Sequence, residues 1–173
     1  MRYFRITLFA ICAITFFTGA NKKVVMNDSA IVQIIKVATL SELDLARLAK
    51  NKSDDRSIGI FAKKVISEQS VDLSQLHNLV RDKSMNFTES NLSKDIEMRG
   101  MARFDQLEVL KGKSFDKAYI DTVVAVYINM QNEIDLLIPV AADSDVEKLL
   151  LKTKNETSKL LERAQIIQAN FKD

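Results

Sequence analysis

Three polar side chains occupy positions where a helical chain ordinarily carries apolar ones: Glu42, Gln69 and Tyr127. Stepping alternately four and three residues gives Ile31, Ile35, Ala38, Glu42, Leu45 and Ala49, the packing seam of a helix, with Glu42 as its only charge. The same stepping places Gln69 in the seam Ile58, Ala62, Val65, Gln69, Leu73, Leu76, Val80. It places Tyr127 in the seam Asp116, Tyr119, Val123, Tyr127, Met130, Ile134, Leu137. A carboxyl group turned inward needs a hydrogen-bond partner, a cation or a raised pKa. One outcome is a metal or small-ligand site inside a bundle, with Glu68, Asp72, Thr153 and Thr157 as neighbours. The other is a buried network in which the Gln69 amide and the Tyr127 hydroxyl hydrogen-bond Glu42 and fix helix register. The second is favoured, because one carboxylate beside an amide and a phenol is a poor donor set for a divalent metal compared with an imidazole-rich one.

Other chemistries lack their residues. The only histidine, His77, follows Leu76 and so falls off the second seam, where a solvent-facing role is expected of it. No cysteine follows Cys12, and the glycines after residue 20 are Gly59, Gly100 and Gly112, none in a phosphate-cradling loop. No nucleophile and base pair can be assembled, so no catalytic residue is assigned and the chain is expected not to be an enzyme.

The elements that must position the polar set are helices. The chain has 173 residues with 47% hydrophobic content but only 4 Gly and 1 Pro, too few turn-formers for anything but one long-helix domain. The first helix is expected to be capped by Asp28 or Ser29 and to stop near Asn51-Lys52-Ser53. The second runs from about Asp55 to Ser84, in an antiparallel hairpin with the first. Residues 91–110 form a less regular helix, interrupted by Gly100, that carries the chain along the bundle as a crossover. A third long helix is capped by Ser114 and ends or kinks at Pro139. A fourth is capped by Ser144 or Asp145 and carries the seam Val146, Leu150, Thr153, Thr157, Leu160, Ala164, Ile167, Phe171. The expected fold is all-α, a ferritin-like four-helix bundle with an extra crossover helix between long helices two and three.

Residues 1–20 have the three parts of a signal peptide: Arg2 and Arg5, an apolar run from Ile6 to Phe17, and Thr18-Gly19-Ala20 before the cleavage point. The apolar run falls short of the roughly 20 residues that span a bilayer. A lipid anchor on Cys12 is disfavoured, since Ile11 stands where a small residue is needed. Loss of Arg2 and Arg5 from the 25 basic residues leaves a chain balanced against its 23 acids. Nucleic acid is therefore not an expected partner. Residues 21–28 are read as a polar lead and 29–173 as the bundle domain, with no transmembrane segment after cleavage.

Read in order, Glu42-Leu43-Asp44-Leu45-Ala46, Phe61-Ala62 with Glu68-Gln69, Leu107-x-x-Leu110-x-Gly112 and Phe115-Asp116-x-x-Tyr119 resemble domain-of-unknown-function family 4142. These are exported bacterial helical bundles, often labelled outer-membrane proteins and related to ferritin-like proteins. The likeness spans residues 29–168. It implies a periplasmic or outer-membrane-associated protein with a binding or envelope role, its partner an envelope protein or a second copy of the chain. Members usually carry histidines at the places held here by Gln69, Tyr127 and Leu160. Of a family metal site this chain keeps Glu42 and Glu68. No cofactor is expected, the alternative being iron, manganese or zinc held through those two carboxylates in a degenerate ferritin-like site.

Overall fold

The computed structural model describes residues 26–171; the expected signal peptide and most of the polar lead lie outside them. Five helices follow in order: α1 (Asp28–Lys52), α2 (Arg56–Asp82), α3 (Asn91–Glu108), α4 (Gly112–Leu137) and α5 (Ser144–Gln168). Short 3-10 turns, Ile138–Val140 and Ala169–Phe171, follow the last two. The protein is an all-α bundle.

Contacts at the helix ends fix the directions. The α2–α3 connection meets the start of α1, where the Thr88 N–H donates to the Ser29 carbonyl at 3.1 Å. The end of α3 meets the end of α1, where Lys52 Nζ donates to the carbonyls of Leu107, at 3.4 Å, and of Glu108. Helix α3 thus runs parallel to α1 and returns the chain to the far end of the bundle, as expected of a crossover. Helix α4 starts where α1 ends, with Lys52 over the Phe115 ring at 5.2 Å, and α5 starts beside the beginning of α1.

The helix ends differ from the sequence reading by one or two residues, each for a local reason. Asn27, rather than Asp28 or Ser29, caps α1 by accepting the Ala30 N–H at 2.9 Å. Asp28 is thereby free to accept the N–H groups of Ala142 and Asp143, both at 3.0 Å, tying the α4–α5 connection to the start of the bundle. Asp143, rather than Ser144 or Asp145, caps α5 and accepts the Asp145 N–H at 2.8 Å. Helix α2 stops at Asp82, because Ser84 enters the left-handed region at φ 51°. The Ser84 and Met85 N–H groups then close on the carbonyls of Arg81 and Val80, a Schellman ending. Ser114 does not cap α4. Gly112 tolerates φ 54°, so the helix begins there, with no side-chain cap on its first turn. Pro139 ends α4 as expected, and the chain tightens into the 3-10 turn.

All seven residues of the α4 seam are buried, from Asp116 to Leu137. The core divides in two. One half, around Phe61, Phe115, Tyr119 and Ala164, lies toward the α1–α2 turn; the other, around Ile31, Leu76, Ile134 and Leu150, lies toward the α4–α5 connection. Burying each such aromatic or aliphatic side chain contributes about 1.5–3 kcal/mol.

Helix α3 is continuous through Gly100, which has a packing reason to be there. A Cβ at that position would lie 2.9 Å from the Ser41 Cβ and closer still to its hydroxyl, so α1 and α3 approach by virtue of the missing side chain. Gly100→Ala is expected to lower stability by about 1–3 kcal/mol through overpacking, despite its better helix propensity. Thermal unfolding would check this in a double-mutant cycle. The penalty should shrink in a Ser41→Gly background, and an equal penalty in both backgrounds would show that the contact is not its source.

Candidate functional site

Glu42 lies midway along α1, between the two apolar halves, and is only 5% exposed. Gln69, 8% exposed on α2, donates from Nε2 to Glu42 Oε2 at 2.9 Å. The Tyr127 hydroxyl approaches the same carboxyl group from α4 and favours its charged form. Thr39, one turn before Glu42, and Thr157 of α5 are buried on the Gln69 side. A transverse polar layer therefore receives side chains from four helices. Glu42 Oε1 is buried and has no hydrogen-bond partner among the described residues.

Burial first and the charge of Asp72 second raise the Glu42 carboxyl, against the opposing Tyr127 hydroxyl, from 4.5 to about 8. Glu42 accordingly carries a proton at neutral pH. Burial, followed by the nearby Glu42 charge, raises the Tyr119 and Tyr127 phenols above their usual range. Gln69 and the protonated Glu42 meet in the layer as neutral groups.

Little space adjoins it. On the α1–α3–α4 side a crevice of about 30 Å³ touches Glu42 and is lined also by Arg99, which donates to Glu133 at 2.7 Å. On the α1–α2–α5 side a crevice of about 10 Å³ lies among Thr39, Gln69 and Thr157 and is lined also by Lys152, which pairs with Asp72 at 2.6 Å. These are the dimensions of one or two water molecules, whereas small-molecule pockets occupy roughly 300–1,000 Å³.

The remaining sequence candidates separate. Glu68 is not in the layer: one residue from the Gln69 seam position, it is rotated by about 100° around the helix and pairs outside with Lys64. Asp72 lines the crevice beside Gln69. Thr153 satisfies its hydroxyl on its own helix by donating to the Leu149 carbonyl at 2.9 Å. Leu160 is buried in the apolar half nearer Phe115. His77 is exposed, its ring edge-on to Phe87 at 5.5 Å. Thr39 lies outside the seam pattern, although its spacing of three from Glu42 puts it on the same side of α1. Asp116 was placed in a seam but assigned no chemistry; it is 5% exposed, and its Oδ1 has no hydrogen-bond partner among the described residues.

A family model described as domain of unknown function (DUF4142) matches residues 17–167. The fold is similar to that of a Streptomyces coelicolor DUF305 protein described as secreted, with a TM-score of 0.70 over 83% of this chain and 93% of that one. At 11% identity the likeness is one of fold. No curated protein matches the sequence.

The raised carboxyl pKa makes stability depend on pH. Between 4.5 and about 8 the folded state binds the Glu42 proton and the unfolded state releases it. The contribution of Glu42 to stability is therefore full below that window and is lost as pH rises through it, an amount on the order of a few kcal/mol. Urea unfolding across this range should show the decline, and Glu42→Gln should flatten it and leave the variant more stable than the parent above pH 8. The same slope in both proteins would locate the titrating group elsewhere.

Proposed function

This chain belongs to the DUF4142 family, and from that premise we propose that it is an exported, non-catalytic helical bundle with a binding or envelope-associated role, its buried polar layer serving as architecture. The observation that carries this reading is the enclosure of Glu42. Its carboxyl group is bonded by Gln69, and the crevices beside it, about 30 and 10 Å³, leave no room for a substrate. One carboxyl, an amide and a phenol also form a poor donor set for a divalent metal. Among the described residues no three His, Cys, Asp or Glu side chains converge on a common point. In the proposed role the layer sets register: sliding one helix past another would separate Gln69 from Glu42 and leave both buried without partners, at about 1–3 kcal/mol for each group.

The basic, apolar and small-residue succession in residues 1–20 supports export, with cleavage after Ala20. No helix among the described residues is long and apolar enough to cross a membrane. Release into the periplasm or attachment at the outer membrane is the proposed destination. Met98 and Met101 stand exposed on α3, apolar surface of the kind that association with an envelope protein or a second copy would bury.

The unpartnered Glu42 Oε1 favours one second reading, a degenerate ferritin-like metal site. That site would need Glu42 ionised and Glu68 turned inward, away from Lys64.

Metal content decides between them. Purified residues 21–173 would be incubated with iron, manganese and zinc, desalted and assayed by plasma mass spectrometry beside Glu42→Gln. No bound metal in either protein is expected. Stoichiometric metal in the parent alone would overturn the architectural reading.

A further inference from the structure

Between α1 and α3 a groove of about 470 Å³ opens to solvent. Gly100 and Ser41, whose contact brings the two helices together, line it with Val37 and Leu40 of α1 and Met101 and Phe104 of α3. Leu40 is 36% exposed and Met101 59%. Single exposed apolar side chains are ordinary on a protein surface, but these share one concave site.

The rim of the groove has one sign of charge. Exposed Asp44, Glu97 and Asp105 line it, and no basic residue does. Arg47 pairs with Asp44 at 3.2 Å, while Arg99 of α3 is turned to Asp95 and Glu133, so Glu97 and Asp105 enter no ion pair among the described residues. Helix α3 runs parallel to α1, and Gly100 lies against Ser41. Val37 and Glu97 therefore lie toward one end of the groove, Asp44 and Asp105 toward the other.

This pattern selects among occupants. A second copy docked face to face would set the same carboxylates against one another, and an anionic membrane surface would be repelled. Apolar anchors flanked by Lys or Arg satisfy both the walls and the rim. The lining stretches, 37–44 and 97–105, are about 11 and 12 Å long, the length over which two turns of a helix present residues i, i+3 or i+4, and i+7. Methionine suits such a groove, because its unbranched thioether repacks around different apolar side chains. Met98, three residues before Met101 and also exposed, extends that surface along α3.

We propose that the α1–α3 groove docks a basic amphipathic helix of an envelope partner, its apolar residues on Leu40, Met101 and Phe104 and its Lys or Arg side chains on Glu97, Asp105 and Asp44. The assignment deepens the proposed binding role and rests on it. It uses no residue of the buried layer.

The probe is an acetylated and amidated peptide of leucine and lysine, about four helical turns long, with its leucines on one face. It is titrated into the mature chain and followed by heteronuclear NMR and circular dichroism. One control has the same residues scrambled so that the leucines circle the helix; a second has glutamate in place of lysine. The patterned peptide should bind and gain helix, with shifts centred on residues 37–44 and 97–105, and each control should bind about tenfold or more weakly. Glu97→Lys with Asp105→Lys should weaken binding about tenfold or more, and Met101→Ser several-fold. All three positions are exposed, so these variants are expected to fold. Asp54→Lys with Glu162→Lys, the same change of charge at exposed positions elsewhere, should stay within about twofold of the parent. Glu42→Gln should bind like the parent. Absence of binding, equal binding of a control peptide, shifts centred elsewhere, equal losses in the two charge-reversed proteins, or dimerisation of the parent abolished by Met101→Ser would overturn the assignment. Such a failure leaves export and the enclosed layer standing, whereas metal at Glu42 would undo the layer's role and leave the groove untouched.

Discussion

A carboxyl group cannot be carried into the middle of a helical bundle as a free charge, and the organisation of this core follows from that constraint. The desolvation cost of an ionised Glu42 exceeds what one amide and one phenol return, so the group keeps its proton. A protonated carboxyl is both donor and acceptor, and it can be met by neutral partners such as Gln69. The consequence is a polar layer without net charge, flanked by two apolar halves that supply most of the stabilisation. Apolar contacts are non-directional and tolerate sliding; the Glu42–Gln69 bond does not. Packing gives the bundle its stability, and the layer gives it one register.

The outer charges complete that layer. Arg99 with Glu133 lines one crevice and Lys152 with Asp72 the other. As partly exposed ion pairs they contribute little stability. Asp72 has a double effect: it anchors Lys152, and its charge helps to keep the Glu42 proton in place.

Much of this was legible in the sequence because helical periodicity survives a lack of context. Spacing alone marks all seven positions of the α4 seam and turns Glu42, Gln69 and Tyr127 inward, and all are buried. Spacing places Gln69 in the seam; Glu68 is a candidate only as its neighbour and through the family resemblance, and one residue of offset, about 100° of rotation, puts it outside the layer. The helix caps were ambiguous for a different reason. Asn27, Asp28 and Ser29 can each cap a helix, and the choice among them is made by the demand for Asp28 elsewhere. The early start of α4 depends on a left-handed glycine, which no apolar pattern records. Thr39 and Asp116 were visible as residues, but their significance lies in what surrounds them. A buried oxygen without a partner is a property of three-dimensional space and leaves no mark on the chain.

The bond between Asp28 and the α4–α5 connection has a kinetic meaning. It joins residues 114 and 115 positions apart, so it closes nearly the whole bundle into a ring. Closing a flexible loop of that size costs about 4 kcal/mol in chain entropy, comparable with what two charge-assisted hydrogen bonds return. Such a latch cannot recruit the ends of an unfolded chain. Its entropic cost falls away once helix packing has already brought the two segments together.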